Sequence, residues 1–149
     1  MKKFVALVIT VLLLQGCGAK EFIPREIVAE TDVCKVCNMS IVHEEYAGQV
    51  ALSNGDYEMF DDLGCLVQYV TTLNEGEKGA GFIKDATTNE WIDVDQATFV
   101  YHKDFWTPMS YGVLAFATEE TAKKWIETEG KGEMLTTEEL ATHEWGVNK

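Results

Sequence analysis

Two stretches of the chain follow one plan. Met39-Ser40 leads through strand-like residues to Tyr57-Glu58-Met59-Phe60, and Asp61-Asp62 then opens a helix reaching about Leu73. Met109-Ser110 leads to the apolar segment Val113 to Phe116, and Thr118-Glu119-Glu120 then opens a helix reaching about Thr128. In both, a small polar residue can cap the helix, and acidic side chains in the first turn suit its positive end. Read as an internal duplication, the pattern predicts two halves, about 32–75 and 80–130, packed about a pseudo-twofold axis. Met39 and Met109 would then occupy equivalent places and face each other across the seam.

The remaining periodicities agree with that plan. Ile41 to Val42, Gly48 to Leu52 and Tyr57 to Phe60 read as strands, with Ser53-Asn54-Gly55-Asp56 supplying an N-G hairpin turn. Leu63, Leu66, Val67 and Val70 mark an amphipathic helix. Gly81 to Lys84, Glu90 to Val94 and Thr98 to Tyr101 read as further strands, and Thr136 to Leu140 as a short terminal helix. The class is α+β, with antiparallel sheet from two repeats and helices packed on it. With 46% hydrophobic residues and 16 aromatics, the 149-residue chain is no disordered tail or bare coiled coil. Its net charge of −13 excludes nucleic acid as a main partner, because such affinity rests on neutralising phosphates with Lys and Arg.

The first sixteen residues read as a leader. Lys2 and Lys3 precede an apolar run from Phe4 to Leu14, too short for a permanent span of about 20 residues. Leu14-Gln15-Gly16-Cys17 then has the look of a bacterial lipobox, which makes Cys17 the lipidated first residue of a mature chain on the outer side of a membrane. Loss of Lys2 and Lys3 takes the charge from −13 to −15. Residues 17–31, polar and without apolar periodicity, read as a flexible tether, and the working domain as 32–149.

Removing Cys17 leaves Cys34, Cys37 and Cys65, an odd number that no set of disulfides can use up. Outside the cytoplasm a free thiol is exposed to oxidation, so something should occupy or protect at least one sulfur. Three readings of Cys34-Lys35-Val36-Cys37-Asn38-Met39 compete. A zinc site would draw on Cys65 and His43 for closure, since no second C-x-x-C is present. A thiol-disulfide pair, Cys34 with Cys37, would normally open a helix, whereas the residues that follow favour extended chain. The third reading joins Cys37 to Met39, which at i and i+2 in extended chain share a face. Thiolate plus thioether is a soft donor set that selects Cu(I) over Zn(II) or Mg(II), and Met109, beyond the break at Pro108, offers a second thioether. His43, just after Met39, and His102 are further candidate donors; His143 lies in the tail.

These features together resemble the NosL family of lipoproteins, which accompany nitrous oxide reductase maturation. The resemblance is carried by Cys17, by Cys34-x-x-Cys37-Asn38-Met39, by Phe60-Asp61-Asp62-Leu63-Gly64-Cys65, and by Met109-Ser110-Tyr111-Gly112-Val113-Leu114-Ala115-Phe116. It implies a fold of two similar ββαβ halves, distantly like part of organomercurial lyase. It also implies a membrane-anchored, extracytoplasmic Cu(I) metallochaperone without catalytic activity, serving copper-enzyme assembly machinery: an ABC-type Nos maturation complex or the apo-reductase. Cys37, Met39 and Met109 match the family's copper-ligand positions. Cys34 and Cys65 lie in the shared motifs and are further candidate ligands, to which the resemblance itself assigns no role. Asn38 stands where the family often has glycine, and Asn tolerates the same left-handed turn. The competing function is an extracytoplasmic thiol-disulfide oxidoreductase built on Cys34 and Cys37.

Overall fold

The computed structural model describes residues 21–145, and its first sheet grows from the N-G turn. Strands β1 (Gly48–Leu52) and β2 (Tyr57–Phe60) pair antiparallel from Gly48 opposite Phe60 to Ala51 opposite Tyr57. Gly55 turns the chain with φ 103°, a conformation that costs glycine little. Helix α1 (Leu63–Val70) follows, and β3 (Lys78–Lys84) returns along the other edge of β1, Gly48 facing Ile83. The short β4 (Trp91–Asp93) completes a sheet of order β2-β1-β3-β4.

The second sheet repeats the first three strands. Strand β5 (Thr98–Tyr101) pairs with β6 (Val113–Phe116); helix α2 (Glu119–Glu129) follows, and β7 (Glu133–Leu135) returns to the free edge of β5. The order β6-β5-β7 matches β2-β1-β3, so each half is a ββαβ unit, in an α+β fold. Thr118 caps α2 by accepting from the Thr121 N–H, and Gly130 ends it in the left-handed conformation. A capping box formed by Thr136 and Glu139 opens α3 (Thr137–Thr142).

Three sequence expectations need correction. The halves do not divide between residues 75 and 80: β3 belongs to the first sheet because its backbone pairs with β1. Ile41 to Val42 forms no strand; only Ser40 makes a bridge, with Val33. The tether proposed for residues 17–31 does not hold from residue 22 onward, because that segment straps the outer face of the first sheet. Phe22 lies over Gly79, and the Tyr57 hydroxyl donates to the Ile23 carbonyl at 2.6 Å. The Gln49 side chain, fully buried in the central strand, accepts from the Arg25 N–H at 2.9 Å and donates to the Arg25 carbonyl at 3.0 Å. Asp32 closes the strap with a two-pronged ion pair to Arg25 (2.7 and 2.8 Å) and a bond from the Val28 N–H. The leader 1–16 and Cys17 lie outside the described residues.

One core crosses the seam. Val50, Phe60, Leu63, Leu66 and Ile83 of the first half pack with Phe99, Val113 and Ala115 of the second and with Leu140 of α3. Asp85 stitches the halves together. Its carboxylate accepts from the Thr87 and Thr88 N–H groups, from the Thr87 hydroxyl and, across the seam, from the Ala117 N–H at 2.6 Å. Burial works to raise its pKa, but those bonds outweigh it and hold the carboxyl below the usual carboxylate value.

Candidate metal centre

The Cys34–Ser40 segment is a tight loop clipped to the end of β2. The Cys34 N–H donates to the Met39 carbonyl at 2.8 Å, and the Asn38 N–H to the Cys34 carbonyl at 2.9 Å. Asn38 takes φ 59°, a left-handed position that Asn tolerates better than most residues. The Lys35 N–H reaches the Met59 carbonyl at 2.9 Å, and its ammonium pairs with Glu58, so the loop is fixed to the strand beside it. This folding turns backbone N–H groups toward sulfur: those of Cys37 and Asp61 toward Cys34, and that of Met39 toward Cys37.

The β2–α1 junction supplies the other wall. Asp62 is the N-cap of α1, accepting from the Gly64 N–H at 3.1 Å, which puts Cys65 in the first turn of the helix. Gly64 permits close packing there, since a Cβ would run into the rings of Tyr111 and Trp145. Cys34 and Cys65 are fully buried and Cys37 is half-buried; all three are free thiols. Their sulfurs and one oxygen of Asp61 all lie within 4.8 Å of one another. Asp61, itself only 3% exposed, accepts from the Cys37 thiol at 3.4 Å through Oδ2, while its buried Oδ1 has no partner. An orphaned carboxylate oxygen among three sulfurs is costly unless something meets it. A metal ion is the chemical group that would satisfy the carboxylate and the thiolates together.

The thiols are not alike. A hydrogen bond from Cys65 lowers the Cys34 pKa to about 6 against its burial. Burial, together with the neighbouring Cys34, pushes Cys37 up to about 12. The same Cys34–Cys65 contact, seen from the donor, drives Cys65 upward. Within this coupled cluster Cys34 is thus the thiol shifted toward ionisation, and Cys37 and Cys65 are shifted away from it.

The second half arrives through the Trp106–Gly112 loop. Buried Thr107 organises it: its hydroxyl accepts from the N–H groups of Tyr111 (3.0 Å) and Gly112 (3.3 Å). The Met109 N–H donates to Asp62 Oδ2 at 3.0 Å. The adjacent acids thus divide the work, Asp61 holding Cys37 and Asp62 holding the Met109 backbone. Burial raises the Asp62 pKa, against the bonds from Thr107, Met109 and Gly64. Cys37 and Met109 both pack at the margin of the core cluster that contains Cys34 and Cys65. Met39 stands on the outer side of its loop, 44% exposed.

A second contact draws the two segments together. The exposed Trp106 ring stacks edge-on against His43 at 4.8 Å and Tyr46 at 5.4 Å. His43 therefore sits in an aromatic cluster, its Nδ1 3.2 Å from Glu45. His102 accepts from the Asp104 N–H and packs beside Phe105, apart from the sulfur cluster. His143 stacks between Tyr101 and Trp145. The two methionines are not equivalent by topology. Met109 lies between β5 and β6, where the first half has the Ser53–Asp56 turn, whereas Met39 precedes β1. Sequence reasoning placed Cys34 and Cys65 only as candidates and gave Asp61 no role, since a paired acid at a helix start has an ordinary explanation in the helix dipole.

Fold and site define a class: a duplicated ββαβ protein with a buried thiol–carboxylate cluster suited to a metal ion. The family model of NosL matches residues 25–145, and the chain belongs to the NosL family. No curated protein matches the chain. Among solved structures it is similar to the crystal structure of the copper chaperone NosL from Shewanella denitrificans. That match has a TM-score of 0.66 and 17% sequence identity, and covers 78% of this chain and 94% of that one; at this identity the likeness concerns the fold.

Proposed function

We propose that this protein carries Cu(I) outside the cytoplasm and delivers it to the machinery that matures a copper enzyme, nitrous oxide reductase, while anchored to the membrane by lipid on Cys17. The observation that carries the reading is the convergence of Cys37 and the Met109 loop on one strand–helix junction, beside two further buried thiols. Copper chaperone is the description of the similar Shewanella protein. Thiolates bind a monovalent soft ion strongly and offset its charge, whereas neutral thioethers favour the reduced ion and exchange readily. Here the thiols lie inside and Met39 lies at the rim, an order that suits holding the ion while offering it to an acceptor. Uptake must release thiol protons, and Asp61, bonded to the Cys37 thiol, is the adjacent carboxylate. Among the described residues no helix is long and apolar enough to cross a membrane; attachment in this reading rests on Cys17.

Anaerobic Cu(I) titration against a competing chelator, followed by X-ray absorption, tests the proposal. It expects one tightly held ion with a sulfur-dominated shell that includes Cys37 and Met109. A shell of nitrogen and oxygen, or affinity indifferent to Cys37→Ser, would reject it. The second reading, a thiol-disulfide oxidoreductase, has in its favour the depressed Cys34 thiol. Against it, that thiol is fully buried, and the half-buried Cys37 is the one pushed up. A reversible Cys34–Cys37 disulfide at a physiological potential would support it.

A further inference from the structure

The strap changes how an anchored chain can stand on a membrane. Four residues, Gly18 to Glu21, separate Cys17 from Phe22, the first residue seen held against the sheet. Five Cα steps span at most about 17 Å. Were the chain free up to Asp32, as its composition suggests, the reach would be about 50 Å. A domain of this size has a radius of gyration of about 14 Å. The short leash therefore restrains orientation, whereas the long one would let the domain turn over.

The attachment point lies at one end of the first sheet. Phe22 rests on Gly79 and Tyr57 holds Ile23, beside the Ser53–Asp56 turn and the loop through Glu77, which Ser53 joins by an N–H bond of 2.9 Å. Ile23 is 67% exposed there, an apolar side chain next to the leash. The thiol cluster lies at the other end: Phe60, just before Asp61, faces Gly48, which faces Ile83, four residues along β3 from Gly79. At about 3.3 Å per residue the two ends are about 13 Å apart.

Resting on the lipid anchor proposed above, we infer that the strap fixes the face the protein turns to the membrane. The Ser53–Asp56 and Glu75–Glu77 end meets the lipid surface. The opposite end, with the thiol cluster and the exposed Val42 and Trp106, is held toward the aqueous side, where an acceptor protein can reach it.

The test uses the full lipidated chain on phosphatidylcholine vesicles carrying a small fraction of headgroup-maleimide lipid. Two variants place a reporter thiol at either end, Glu75→Cys near the strap and Val42→Cys near the cluster; the parent chain gives the background from the native thiols. A water-soluble maleimide measures the intrinsic reactivity of each thiol. After that normalisation, lipid-borne maleimide should label Glu75→Cys at least about tenfold faster than Val42→Cys, because tethering sets the effective concentration. A flexible Gly/Ser insert of about twelve residues between Ala19 and Lys20 should bring the two rates together without touching the fold. Equal labelling of both thiols in the uninserted chain, on vesicles with which the protein floats, overturns the inference alone. Failure of the chain to float with vesicles, or an N-terminal peptide without acyl mass, overturns the anchor and the inference with it.

Discussion

Replacing Asp62 should separate support of the site from donation to a metal. Its carboxylate is 1% exposed and serves two elements, accepting from the Gly64 N–H as the cap of α1 and from the Met109 N–H as the hold on the second half. In Asp62→Ala the lost cap costs about 1 kcal/mol. The stranded Met109 N–H costs about 1–3 kcal/mol more, giving roughly 2–4 kcal/mol together. For a domain of this length that lowers Tm by about 10 °C. Asp62→Asn caps equally well but has one carbonyl oxygen for the Gly64 and Met109 N–H groups and the Thr107 hydroxyl, so it should fall between wild type and alanine. Urea unfolding of the metal-free, reduced protein, followed by tryptophan fluorescence, reads the order through the midpoint at constant slope. On the copper reading, Asp62→Ala should also weaken Cu(I) about tenfold or more, as loss of supporting partners commonly does. An alanine variant as stable as wild type, or asparagine below alanine, would refute the assignment of both bonds to this side chain.

Three further outcomes are expected. Met39→Leu and Met109→Leu conserve volume and should leave the unfolding midpoint within about 1 kcal/mol while each weakens Cu(I), as read by chelator competition. The pKa of Asp32 is lowered chiefly by its hydrogen bond from Arg25, so the pair stabilises the strap above the unfolded carboxyl value and the benefit is lost as pH falls through the lower folded one. Hydrogen exchange of residues 22–32, corrected for intrinsic rates, should accelerate below about pH 4, and Arg25→Ala should show the faster exchange already at neutral pH. Asp85→Ala strands the N–H groups of Thr87, Thr88 and Ala117 and should cost at least about 3 kcal/mol in urea unfolding, the largest loss among these variants.

Local chemistry was legible where a signal was local. Thr98–Tyr101 and Val113–Phe116 form strands over the expected residues, and α2 starts one residue after Thr118 because that side chain caps it. The pairing of β3 with β1 was not legible, since register across an intervening helix leaves no mark within either strand. The strap left one mark, a glutamine inside a strand otherwise made of small and apolar residues; Gln49 is buried because its amide satisfies the Arg25 backbone. The expected sharing of one face by Cys37 and Met39 does not hold, because the segment is a tight loop and not extended chain: Asn38 turns left-handed between them, Cys37 joins the thiol cluster and Met39 points outward, 44% exposed. Cys65, 28 residues beyond Cys37, and Asp61 could not be placed with Cys37, because only the return of β2 toward the Cys34 loop brings them there.

The duplication built the frame, and the site departs from it. A symmetric pair of methionines would present two equal donors on one axis. Here the segment before β1 carries Cys34, Cys37 and Met39, while the second half contributes a loop between β5 and β6. The candidate donors therefore differ in how firmly they are held. Cys65 is set in the first turn of α1 and Asp61 at the end of β2; Cys34 and Cys37 lie on a loop hydrogen-bonded to β2; Met109 hangs on Thr107 and Asp62. On the proposed function this graded support has a testable consequence. Tight binding depends on the fixed inner sulfurs, and exchange with an acceptor on the outer thioethers. Cys37→Ser should then abolish retention against a strong chelator, while Met39→Leu should weaken retention only in part and also change the rate at which copper passes to an acceptor.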